Sequence, residues 1–142
     1  KPRARWYMMH ISCIIGVLVG INLSLMAIWD IYAYEKLHIF TASNVFQLGI
    51  LWGVATHVGL PDANIDGKKM RYISIASSII AFIGMFYAVG LGLQKYPEFT
   101  EGNWDMEKMQ PYINWAAPLE YLMVFSFMVT LRSFEHELER VQ

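Results

Sequence analysis

Four stretches of this chain run for about 20 residues or more with almost no Asp, Glu, Lys or Arg. They are Trp6–Trp29, Leu37–Leu60, Tyr72–Leu93 and Gln110–Leu131, the last broken only by Glu120. About 20 apolar residues in helical form cross the ~30 Å hydrocarbon core of a bilayer. A soluble bundle of buried helices would show one polar stripe per helix at 3.6-residue spacing, and these runs do not. Lipid offers backbone groups no hydrogen bonds, so a spanning segment of this length has to be a helix. The pattern predicts an all-α integral membrane bundle of four transmembrane helices. They form one domain over residues 1–142, with helices near 6–29, 37–60, 72–93 and 110–134.

Charge supports the same reading. Charged residues make up 16 % of the chain, against about 25 % in soluble domains. The net charge of -1 and the lack of a basic, aromatic-laced patch argue against nucleic acid as a partner. A single cysteine, Cys13, excludes an intrachain disulfide and a thiolate metal cluster. Lys and Arg divide unevenly between the two ends of the runs. Lys1, Arg3, Arg5, Lys68, Lys69, Arg71, Arg132 and Arg140 fall on one side, and only Lys36, Lys95 and Lys108 on the other. Positive flanks stay in the cytosol, so both termini are expected there, and the two loops rich in Tyr and acids on the luminal or extracellular side. Trp6, Tyr7, Trp29, Tyr32, Tyr34, Tyr72, Tyr96 and Trp104 sit at the run ends, as an aromatic belt requires.

Small residues recur every fourth position: Ser12, Gly16, Gly20 and Ser24 in the first run, Gly49 and Gly53 in the second, Gly84, Ala88 and Gly92 in the third. Such faces let helix backbones approach closely in lipid. They read first as packing within the chain and second as a dimer face. Asn22, Asn44 and Gln47 place amides at membrane depth, where cross-helix hydrogen bonds are the usual role.

Glu120 is the only intramembrane acid. Pro118, two residues earlier, lacks an N–H and frees the Asn114 carbonyl, so a bend is expected there. A carboxyl in lipid is expected to donate a hydrogen bond, with the Asn114 carbonyl as the acceptor in reach. Glu120 and His38 fall in the same half of the bilayer. The readings are a structural tether between helices, a contact for a lipid headgroup or other ligand, and an acid/base pair with His38. No metal-ligand spacing, phosphate loop or nucleophile motif is present, and no cofactor is expected. His10, His57 and His136 form no such spacing, and with one acid at depth and no inverted repeat a transporter ranks last.

The stretches "RYISIASSIIAFIGMFYAVGLG" and "YINWAAPLEYLMVFSFMVTLRSFE" resemble the last two helices of the Frag/DRAM/Sfk superfamily, which includes the damage-regulated autophagy modulators. Small residues precede Glu120-Tyr121, then Phe125 and Phe127 follow, and the run closes on Phe134-Glu135. The resemblance covers Arg71 to Glu135, with His38 a loose counterpart of a histidine that opens an earlier helix. It implies six helices with cytosolic termini, two of them preceding Lys1, and membrane lipids or other membrane proteins as partners. It also implies autophagy modulation at lysosomes or regulation of phosphoinositide synthesis, both non-enzymatic. The autophagy modulators favour Trp where this chain has Tyr121. Glu120-Tyr121 is also similar to the branch that remodels glycosylphosphatidylinositol (GPI) lipids, which implies a Glu120–His38 pair acting on lipid.

Overall fold

A computed structural model describes residues 2–29, 33–60, 65–98 and 106–135, and these residues form an all-α bundle of four helices. Lys1, Tyr32, Trp104, His136 and Arg140 lie outside the described residues. The helices are α1 (Pro2–Ile28), α2 (Glu35–Gly59), α3 (Ile65–Lys95) and α4 (Met106–Arg132). Each starts before its charge-free run. Charges end a membrane run without ending a helix, and Asp66 and Glu107 in first turns, like Lys95 and Arg132 in last turns, suit the helix dipole. α2 stops at Leu60, which precedes Pro61 and is extended, with φ -74 and ψ 140, because the proline ring disfavours helical backbone before it.

Three helices are long and apolar enough to cross a membrane: Arg3–Ile28, Lys36–Gly59 and Ile65–Lys95. α4 is long enough at 27 residues. It falls outside that set because Gln110, Pro111, Asn114, Pro118 and Glu120 dilute its apolar content. It nevertheless continues as one helix through both prolines.

The distribution of side chains is inverted relative to a soluble protein. Ser12, Thr41, Thr56, Ser74, Ser78, Ser126, Thr130 and Ser133 are buried, while Ile14, Val17, Phe40, Ile73, Ile80, Ile83 and Phe125 are exposed. Water would not tolerate so continuous an apolar surface, whereas lipid selects it. The chain is therefore a membrane protein.

Neighbouring helices run antiparallel. Ser12 meets Thr56 and Gly16 faces Trp52 across α1 and α2, while Ser74 meets Thr130 and Gly84 faces Leu119 across α3 and α4. α2 joins the two hairpins: it packs on α3 and touches α4, whereas α1 packs on α2 alone. Val45, Phe46, Ala81, Met85, Ala88, Ala116 and Met123 make the central core, drawn from α2, α3 and α4.

The register between α2 and α4 matters for the site. Gly49 lies against Phe127, and the Trp52 ring is 6.4 Å from that of Phe134, so the two helices run parallel with an offset of about 80 positions. The first residue of α2 is thus level with Trp115. About nine residues of α4, roughly 13 Å of helix, project beyond the start of α2. That overhang carries its own polar cap. The Tyr96 ring packs 6.5 Å from Tyr112, Lys95 and Lys108 lie 5.4 and 5.9 Å from its centre, and Lys108 pairs with Glu98 at 3.5 Å.

Candidate functional site

His38 stands one turn inside α2. It shares a helix face with Ala42 and Val45, four and seven residues on, so it looks toward the core side of the bundle. Its Nδ1 lies 2.7 Å from the Trp29 carbonyl oxygen at the end of α1. A carbonyl only accepts, so Nδ1 carries the hydrogen, and the imidazole's Nε2 is left as the free ring nitrogen. This bond ties the α1–α2 turn across its own base and fixes the ring's orientation.

Glu120 comes two turns before Phe127 on α4, and seven residues bring a helix back to within about 20° of the same direction. Phe127 faces α2, so Glu120 does too. The offset of about 80 positions sets it level with His38. The two helices touch closely at Gly49–Phe127, and two turns away Glu120 is exposed at the His38 level. His38 is close enough to the Glu120 carboxyl to interact with it electrostatically. No hydrogen bond or ion pair joins the two among the described residues, and Glu120 has no other polar partner there. The expected hydrogen bond from Glu120 to the Asn114 carbonyl is not formed. Pro118 and Glu120 are both exposed, and the Asn114 side-chain oxygen accepts from Gln110 Nε2 at 2.8 Å instead.

Glu120 does lie about 12 Å along the helix from Tyr112. Tyr112 belongs to the overhang, so the acid sits near the end of the α1–α2 hairpin.

The amides behave differently from expectation. Asn22 donates to the Leu18 carbonyl of its own helix at 2.9 Å and crosses to no neighbour. Asn44 is half-buried and Gln47 exposed, and neither makes a hydrogen bond among the described residues. Hydroxyls do the bridging instead. Ser12 Oγ and Thr56 Oγ1 are 2.6 Å apart across α1 and α2, and Ser77 and Ser126 hydroxyls are 2.8 Å apart across α3 and α4. Ser74 donates to the Ser126 carbonyl and lies 2.6 Å from the Thr130 hydroxyl. A serine that bonds a neighbouring helix looks the same in sequence as one that bonds its own, and so the reading of the sequence missed this seam.

Glycines divide in the same way. A Cβ added at Gly49 would enter the Phe127 ring. At Gly84 it would meet Leu119 at 2.9 Å, at Gly92 Met109 and Tyr112 at 2.9 Å, at Gly16 Trp52 at 3.1 Å and at Gly53 Ile75 at 3.4 Å. Gly20 faces nothing within 4 Å, so the small-residue stripe of α1 loses contact with α2 there. Gly59, outside the four-residue repeats, does approach a neighbour, with Met9 Sδ at 2.8 Å.

At the opposite end of the bundle Arg71 is 1 % exposed and the His57 ring meets Tyr72 edge-on at 4.4 Å. A buried arginine nearly two turns into α3 marks this end as a tightly packed foot. No protein-family model, no curated protein and no solved structure matches this chain.

Proposed function

We propose that this chain is a non-enzymatic, multi-pass membrane protein that regulates a membrane process by binding lipid, or a second membrane protein, at the exposed Glu120 beside α2. The observation that carries this reading is Glu120. A carboxyl group lies open at the surface of a largely apolar bundle, level with His38, with no hydrogen-bond or ion-pair partner among the described residues. Acidic groups at membrane depth are costly and are kept for function. A tether between helices would be buried and bonded, and this group is neither. The Lys/Arg asymmetry supports cytosolic termini, with Glu120 toward the luminal or extracellular side. The resemblance to the Frag/DRAM/Sfk superfamily supports a lysosomal, endomembrane or plasma-membrane role linked to autophagy or phosphoinositides. Lipid that co-purifies with the chain should fall several-fold in Glu120→Gln while the fold is retained. Turnover of any lipid by the purified protein, abolished by Glu120→Gln, would refute the non-enzymatic reading.

A second reading rests on the proximity of His38 to Glu120: a lipid-remodelling factor, of the kind that acts on GPI anchors, with the two groups as acid and base. It requires His38→Gln and Glu120→Gln each to abolish release of fatty acid from a GPI lipid. Release that persists in either variant rules it out.

A further inference from the structure

On the side of α2 opposite Glu120, we infer that the chain pairs with a second copy of itself, α2 against α2, through the amide of Gln47. Gly49 faces Phe127 of α4, and two residues turn a helix by about 200°, so Gln47 points away from the core. It is exposed there and makes no hydrogen bond among the described residues. Gln47 is also the middle residue of the 25-residue α2, roughly 18 Å of helix from either end.

The membrane leaves this group nothing to bond. Acyl chains carry no donors or acceptors. The headgroups lie about 15 Å away, half of the ~30 Å hydrocarbon core, beyond the reach of a glutamine side chain. An unpaired amide in hydrocarbon is costly, since it gives up its bonds to water and gains none. Asn22 escapes that cost by donating to the Leu18 carbonyl of its own helix at 2.9 Å, and Gln47 makes no such bond. Its partner must come from outside the chain and offer a donor and an acceptor at mid-membrane depth.

A second copy meets each condition. A primary amide donates through its nitrogen and accepts through its oxygen, so two facing amides exchange a pair of N–H···O bonds. The Lys/Arg asymmetry inserts every copy in one orientation, and a two-fold axis along the membrane normal then brings Gln47 to Gln47 at equal depth. The surrounding surface has the spacing of a parallel helix pair. Phe40, Gln47 and Val54 repeat every seven residues, and Asn44, Leu51 and Val58 follow each of them by four, which makes an a/d seam. All are exposed except Asn44, which is half-buried and also makes no hydrogen bond among the described residues. A polar residue at one a position sets the register of such a pair, and Gln47 holds the central one.

Sedimentation equilibrium of the purified 142-residue chain in density-matched micelles reads the association. The parent should show a monomer–dimer equilibrium, and Gln47→Leu should raise its Kd about tenfold, as the loss of cross-helix hydrogen bonds in lipid implies. Because the amide bonds nothing inside the chain, Gln47→Leu should unfold no earlier on heating than the parent. Disulfide trapping in vesicles, in a Cys13→Ala background, locates the face. Leu51→Cys should crosslink to its copy on oxidation. Ile80→Cys, exposed on α3 and level with position 48 by the Gly53–Ile75 register, should not. A parent that stays monomeric at every concentration overturns the inference. An unchanged Kd in Gln47→Leu, or trapping at Ile80→Cys and not at Leu51→Cys, overturns it too. A lower thermal transition in Gln47→Leu would place the amide's partner inside the chain and has the same consequence.

Discussion

Replacing Gly49 by Ala tests the closest approach in the bundle. The added Cβ would overlap Cζ of the Phe127 ring and stand 2.6 and 2.7 Å from its two Cε atoms. Carbon atoms rest at about 3.5–4.0 Å, so the ring must retreat by about 1.5 Å. The Gly84 and Leu119 contact below it and the Trp52 and Phe134 rings above leave little slack. Overpacking of this kind costs about 1–3 kcal/mol. Against it stands the gain of about 1 kcal/mol that alanine brings to any helix interior. Gly20→Ala carries the same propensity gain with nothing within 4 Å to strike. The difference between the two variants therefore isolates the clash, and it should be about 1–3 kcal/mol, with Gly49→Ala the less stable. Unfolding by sodium dodecyl sulfate titrated into dodecyl maltoside micelles reads it. Phe127→Leu should relieve most of the cost of Gly49→Ala, with a coupling of about 0.5–3 kcal/mol. Stabilities of Gly49→Ala and Gly20→Ala within ~0.5 kcal/mol of each other would show that α2 and α4 do not meet at this point.

The same unfolding assay checks the hydroxyl seam. Ser74→Ala strips the buried Thr130 hydroxyl of its partner and should cost about 1 kcal/mol, near the upper part of the range seen in membranes. Asn22→Leu removes only a bond to its own helix and should change stability by less than ~0.5 kcal/mol; a larger loss would mean that Asn22 has a partner on another helix. For orientation, Lys69→Cys and Lys95→Cys in a Cys13→Ala background should label from opposite sides of sealed vesicles. An impermeant maleimide added outside whole cells should reach position 95 and not 69, and the reverse pattern would invert the proposed topology.

The helices were legible because a membrane span is defined by what it lacks. Runs without charge gave their number and order. Their true ends were not legible, since Ile65–Arg71 is charged and still helical. The packing faces were legible only in part. Gly16 and Gly20 carry the same small-xxx-small signal, but α1 leans on α2 at the first and has nothing within 4 Å at the second. Distinguishing them needs the register of Ser12 on Thr56 and Met9 on Gly59, which no single sequence encodes locally. Serine and threonine satisfy themselves on their own helix or on a neighbour at almost equal cost, so the Ser74–Ser126–Thr130 seam was equally silent.

Glu120 and His38 show what depth reasoning can reach. Counting residues from the polar flanks placed both in one half of the bilayer, and a parallel α2–α4 contact with an offset of about 80 brings them to one level. Counting along α4 set the acid about 12 Å from Tyr112, and the register adds that Tyr112 itself, with the polar α4 segment Met106–Asn114, lies beyond the start of α2. The lower apolar content of α4 and the exposure of Glu120 then have one cause. Both follow from the parallel α2–α4 register, which carries the polar part of α4 past the start of α2 and sets Glu120 close to that end.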